Sequence, residues 1–185
     1  GVVPIVADIV VASAYPFVNR YVPRKILFVA GMAMMACGYL VFIFSNDSLP
    51  MVVVALILFY VPETLISTTA ILTMTDSIEY GQLKNGRRNE AVILSVRPML
   101  DKIAGALSNG MVGFITVAAG MIGGATAADM TAANIATFKT WAFIAPLVVI
   151  VLGMLVFFFF VKLSEQKHAE IVAELENKLS AEDVK

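Results

Sequence analysis

The chain has 185 residues, of which 59% are hydrophobic and 15% charged, with 13 Lys and Arg against 14 Asp and Glu and a mean hydropathy of +0.87. Soluble domains run near ~45–50% apolar and ~25% charged, so the composition excludes one and predicts an all-α membrane protein with several crossings. There is no basic block suited to nucleic acid, a single cysteine excludes an internal disulfide or a Cys-rich metal site, and the only histidine, His168, lies in a polar tail, which argues against a His-ligated metal centre, a serine–histidine dyad or any other enzyme.

The chain opens Gly1-Val2-Val3-Pro4, has no signal-peptide pattern there, and reads as a segment of a longer protein. Five apolar runs, at about 1–17, 26–44, 51–74, 91–118 and 140–161, are each near the ~20 residues a crossing needs. They make up a transmembrane unit, 1–162, followed by an amphipathic tail, 163–185. The first run carries Asp8, and a basic turn at 19–25 follows with Arg20, Arg24 and Lys25. The second holds Cys37, read as a buried inert thiol, and Met32, Met34 and Met35, read as packing residues. A short turn at 45–50 ends at Pro50, a residue suited to a helix start.

The third run carries Glu63 directly after Pro62, ~18 Å from Met51 and so near mid-membrane. Proline removes a backbone hydrogen bond and can kink a helix, and kinked helices at the midplane are typical of transporter sites. A carboxyl there can carry a proton. Equally, Glu63 is a neutral hydrogen-bonded group or a structural partner for Lys102. A polar loop, 76–90, comes next, with Lys84, Arg87 and Arg88.

Lys102 stands in the middle of the fourth run, ~18 Å from Glu90 and ~24 Å from Ala118. A charge at that depth costs several kcal/mol and marks a protein interior or a wet cavity. Ser95, Lys102, Asn109 and Thr116 recur every seven residues and form one polar stripe with a drift of ~20° per heptad. The stripe lines a cavity and touches a hydroxylated substrate or coupling ion, or else Lys102 pairs with a carboxylate on another helix and fixes packing. Arg97 and Asp101, four apart, suit a pair on one helix. Gly105, Asn109 and Gly113 form a ladder of small residues that admits a neighbouring helix.

A Gly/Ala/Thr-rich loop, 120–136, leads to the fifth run, with Trp141 at its interface. In the tail, Ile171, Leu175 and Leu179 at four-residue spacing predict a short amphipathic helix that is solvated, lies on the membrane face, or leads into a soluble domain. The lysines and arginines put loops 19–25 and 75–90 and the carboxy terminus in the cytoplasm.

The segment Thr75 to Gly105 carries a recognisable composite motif: Asp76, Glu79, Tyr80, Gly81, then Lys84, Gly86, Arg88 and Glu90, then Lys102. It resembles the glycoside–pentoside–hexuronide:cation symporter family at the junction of its tenth and eleventh helices. The segment 120–129 and the tail 165–176 look like the lactose/galactoside permease branch of Gram-positive bacteria. The resemblance implies the twelve-helix major facilitator fold, with these five spans as helices eight to twelve and the amino-terminal helices supplied by missing sequence. It implies a bacterial plasma-membrane carrier of a galactoside, coupled to H+ or Na+ or working by exchange, with no other cofactor.

In that family the helix-eleven lysine belongs to the sugar and cation region, and Lys102 is the matching position; the midplane position of Glu63 and the polar stripe through Ser95 and Asn109 add these three as candidate substrate or cation residues. Most cation ligands lie in the absent half. Asp76, Glu79, Tyr80, Lys84, Arg87, Arg88 and Glu90 become a cytoplasmic gate of ion pairs. Lactose-type members often carry a proton-coupling histidine where Arg87 stands, and arginine does not titrate in range. Some members continue into a IIA-like regulatory domain, near where this chain stops at Lys185. The rival readings are a drug or other small-solute antiporter of the same fold and a non-transporting membrane scaffold.

Overall fold

The computed structural model describes residues 2–45 and 48–183. Among them there are seven α-helices and no strand: α1 (Val2–Asn19), α2 (Arg24–Phe44), α3 (Leu49–Asn85), α4 (Glu90–Ala118), α5 (Ala132–Lys139), α6 (Ala145–Phe160) and α7 (Glu165–Asp183). Each of the five apolar runs is helical. Three helical stretches, Arg24–Phe44, Leu49–Asn85 and Ala132–Phe160, are long and apolar enough to cross a membrane by length and composition. Helix α4 is long enough, but Arg97, Asp101 and Lys102 interrupt its apolar sequence.

Several boundaries differ from the sequence reading. Helix α3 does not stop near Met74. It runs through Pro62 and on across most of the expected polar loop to Asn85, so Asp76, Glu79, Tyr80 and Lys84 are helical. No residue between 74 and 85 breaks a helix outright, and the lone Gly81 is tolerated at a cost of ~1 kcal/mol. The stop is Gly86, in the left-handed region at φ 67°, whose N–H bonds back to Gln82 O at 2.8 Å. The expected loop 120–136 also ends early. Thr131 caps α5, accepting from Asn134 N at 3.2 Å, and helix runs from Ala132 without a break to Phe160. A widened π turn, Thr140–Ile144, lies just before Pro146, which has no N–H to give the preceding turn. Arg24 and Lys25 open α2 and are not turn residues. The turn expected at 45–50 includes 46–47, outside the described residues.

Helix α3 is the hub. It packs on α1, α2, α4 and α7, while α2 is also covered by α6. Helices α2 and α6 run antiparallel, since Phe28 stacks on Phe157 at 3.6 Å and Phe42 on Phe143 at 5.5 Å. The α2–α3 approach is close at two glycines seven apart: a Cβ on Gly31 would meet Ile66 Cγ1 at 2.9 Å, and one on Gly38 would meet Ala55 O at 3.3 Å. Gly38→Leu, facing backbone that cannot swing aside, is expected to destabilise the bundle by about 1–3 kcal/mol. A lowered melting temperature of the detergent-solubilised protein checks this, and an unchanged one would show that the helices are not packed this tightly.

The small-residue ladder on α4 is a different case. Nothing lies within 4 Å of a Cβ built on Gly105 or Gly113, so no described helix enters it. Cys37, expected to be buried, is exposed on α2. Large apolar side chains are exposed along α1, α4 and α6, among them Ile9, Leu107, Val112 and Phe159. So extensive an apolar exterior fits a chain surrounded by lipid or further protein. The tail forms α7. It docks on α3, with Ile171 buried at 5% exposure and Leu175 half-buried. The side chain of Leu179 is outside the description.

Candidate functional site

Two polar regions stand out against the apolar bundle. The first is a groove of about 350 Å³ between α1 and α3, lined by Asp8, Tyr60, Glu63, Thr64, Ser67 and Thr68. The α-helical period brings Tyr60, Glu63, Thr64, Ser67 and Thr68 onto one side of α3. Asp8 reaches across from α1 and accepts a hydrogen bond from Thr64 Oγ1. Further along, Thr69 Oγ1 donates to Leu65 O at 2.7 Å, so the buried Tyr15 hydroxyl donates to Thr69 Oγ1 at 3.1 Å. These two contacts hold α1 parallel to α3. Ser67 also lines a second cleft, of about 230 Å³, with Ala70, Ile71, Met74, Arg97, Leu100 and Asp101. The two openings thus meet along one face of α3.

Helix α4 borders this second cleft. Arg97 Nη2 donates to Ser67 Oγ at 3.4 Å and Arg97 Nε sits 3.6 Å from Asp101 Oδ2, the expected pair on one helix. The Arg97–Ser67 contact sets the antiparallel register of α4 on α3. Five residues along α4 and five back along α3, Lys102 comes level with Pro62, next to Glu63. Asp8, Glu63 and Lys102 therefore share one level of the bundle. They do not meet: Lys102 makes no ion pair or hydrogen bond among the described residues, so the pairing with Glu63 allowed by the sequence is not found. The reason is that α4 touches α3 over a limited stretch, and every residue of α4 from 98 to 114, Lys102 included, is exposed. Asn109 is likewise exposed and unbonded among the described residues, and Ser95 Oγ bonds back to Val92 O at 2.8 Å. Thr116 bonds back to Val112 O in the same way, so the hydroxyls of the heptad stripe are satisfied within their own helix.

The second region is a charge cluster where α2 begins, α3 projects and α7 folds back. Arg24 Nη1 donates to Asp76 Oδ2 in an ion pair, with side chains 21% and 13% exposed. Glu165, the first residue of α7, accepts from the Arg24 backbone N–H at 2.5 Å. It thereby supplies the carboxylate at the start of α2 that Pro23 does not provide. Arg88 lies 3.6 Å from Glu79 and donates to Glu90 at 2.8 Å and to Gln82 at 3.4 Å, which closes the α3–α4 turn. His168 Nε2 is 3.7 Å from both Asp76 Oδ1 and Glu79 Oε2. Burial pushes the Asp76 carboxyl above the ordinary carboxylate range, against the pull of Arg24 and His168 and with Glu79 and Glu165 adding to the rise. Arg87 and Lys84 form no ion pair among the described residues. Lys84 Nζ instead sits 6.0 Å over the Tyr80 ring.

The profile described as MFS/sugar transport protein matches residues 1–165. The chain belongs to that family. The MFS/sugar transport assignment bears out the resemblance read from the 75–105 motif. The chain is 50% identical over 181 residues to a lactose permease of Leuconostoc lactis, covering 98% of this chain and 28% of that protein. It is 48% identical over 184 residues to a lactose permease of Lactobacillus helveticus, covering 100% and 28%. It is 38% identical over 176 residues to a raffinose carrier protein of Pediococcus pentosaceus, covering 95% and 28%. The chain thus spans little more than a quarter of these MFS/sugar transport relatives. No solved structure matches it significantly.

Sequence reasoning did not place Asp8, Tyr60 and Thr64 in a groove, and it left Arg24 and His168 out of the charge cluster. His168 had a readable signal: with Ile171 and Leu175 it falls at three- and four-residue spacing, on the apolar face of α7. Arg24 had none, because its partner lies 52 residues away.

Proposed function

We propose that the chain is the carboxy-terminal part of a cation-coupled galactoside carrier of the bacterial plasma membrane. The five helical runs are its helices eight to twelve. The carrier works by alternating access, rocking one helical bundle against the other around a midplane site. The observation that carries the reading is the groove: two carboxylates, a phenol and three aliphatic hydroxyls, from Thr64, Ser67 and Thr68, in a chain rich in apolar residues. Carboxylates and hydroxyls are what a sugar's hydroxyl groups hydrogen-bond. The uncovered face of α4 then turns toward the other half of the carrier, where Lys102 finds a sugar hydroxyl or a carboxylate. The coupling ion, H+ or Na+, is held mostly by that other half. Arg24, Asp76, Glu79, Arg88 and Glu90 form the cytoplasmic gate, and the carboxy terminus is cytoplasmic, as the placement of Lys and Arg favours.

The test is counterflow in proteoliposomes containing the full-length carrier that bears this segment. Vesicles loaded with lactose should exchange it for labelled lactose. Asp8→Asn with Glu63→Gln should slow exchange at least about tenfold while folded protein stays constant. A carrier that exchanges no galactoside, or whose exchange ignores both substitutions, would remove the groove from the pathway.

A further inference from the structure

The tail helix ends on a contact that transport alone does not explain. His168 Nε2 and Glu79 Oε2 are both buried and neither has a hydrogen-bond partner, although they face each other at 3.7 Å. Asp76 Oδ1 stands at the same distance from the imidazole. Around His168, α3 presents Asp76 and Glu79, α2 presents Arg24, α7 itself presents Glu165, Arg88 reaches Glu79 from the α3–α4 turn, and Arg20 lines the groove beside Glu165. Arg24 is taken up by Asp76, and Arg88 is shared with Glu90. Nearest the imidazole, negative charge is in excess. A neutral imidazole either turns a lone pair on the carboxylates or offers one Nε2–H without charge, whereas an imidazolium presents its Nε2–H together with a positive charge that both carboxylates feel.

We propose that α7 is a proton-operated latch, in which protonated His168 bridges Asp76 and Glu79 and clamps the tail helix to the projecting end of α3, and loss of that proton releases it. Imidazole is the side chain whose charge ordinarily changes between about pH 5 and 8. Apolar burial at the dock comes from Ile171 on α7, with Leu175 half-buried, and from Ile78 on α3, which lies between Asp76 and Glu79 and is 1% exposed. The charge on His168 is set against that apolar contact in deciding between bound and free. The capping of α2 by Glu165 makes the release felt beyond the tail, because undocking α7 uncovers the α2 N-terminus at the same moment.

The experiment needs no sugar, so its failure is distinct from failure of the transport reading. In the full-length carrier, purified in detergent with Cys37→Ser and any other cysteine replaced, a single cysteine is placed at Ile171 and, separately, at the exposed Asn177. The maleimide labelling rate at 171 is divided by that at 177, which cancels the pH dependence of the thiol. The ratio should rise about tenfold from pH 5.5 to pH 8. With His168→Gln it should stay at the high value at both pH values, and with His168→Lys at the low one. Ile78→Cys serves as a second probe in case Ile171→Cys loosens the contact by itself. A ratio that ignores pH at both probes, or a pH response that survives His168→Gln, overturns the latch.

Discussion

Lys102→Ala in the full-length carrier should abolish uphill galactoside accumulation. Lys102 lies level with Glu63 and Asp8, exposed on α4, with no partner among the described residues. A lysine near the bilayer centre is not left without compensation, and on the proposed reading a carboxylate in the rest of the carrier supplies it. Removing the cation leaves that partner as an uncompensated buried charge, at a cost of ~3–5 kcal/mol. Half of that exceeds the ~1.4 kcal/mol that changes an equilibrium tenfold. Lys102→Arg should restore transport only in part, because the wider guanidinium fork cannot give up its proton. Accumulation is to be measured against folded protein in the membrane. If Lys102→Ala accumulates sugar like the unmodified carrier, the lysine is a packing residue.

Breaking the Arg24–Asp76 pair should have the largest effect on stability. Arg24→Met leaves the Asp76 carboxylate facing Glu79 and Glu165 without its nearest cation, and at this partial burial the loss is about 2–3 kcal/mol. Burial already raises the folded-state pKa of Asp76, and without Arg24 only His168 is left to oppose it. The carboxyl therefore takes up a proton more readily in the folded protein, and the destabilisation is largest at neutral pH and shrinks on acidification. Asp76→Asn removes the stranded charge, so the double variant Arg24→Met/Asp76→Asn should be more stable than Arg24→Met alone. Denaturation midpoints of the four proteins close this cycle. Simple additivity of the two substitutions would show that the pair is not coupled.

The architecture was legible because apolar run length and basic residues between runs are local signals. All five runs became helices. The motif around Asp76 to Glu90 named the family because its residues are contiguous. Local pattern failed where a helix outlasts its apolar stretch. Residues 76–85 look like a loop by polarity, yet nothing before Gly86 stops helix α3, and polarity there reflects emergence from the apolar bundle. The stripe Ser95, Lys102, Asn109 and Thr116 was correctly periodic, but period does not say what a face meets, and here Ser95, Lys102 and Asn109 are exposed. The groove could not be read at all: Asp8 and Thr64 are 56 residues apart, and only the parallel packing of α1 on α3 unites them.

The length of α3 has a mechanical meaning. Its 37 residues extend ~55 Å, against a hydrocarbon core of ~30 Å, so a long arm projects from the membrane. Pivoting at Pro62 by about 10°, beside Glu63 and the groove, would carry the Asn85 end, ~35 Å away, through ~6 Å. The contacts of His168 and Arg88 with the carboxylates of that arm span only 3.6 and 3.7 Å. At Asp76 and Glu79, ~21–26 Å from that pivot, the same tilt amounts to ~4 Å, so a small tilt at the groove reaches the charge cluster as a displacement comparable to the contacts that hold it.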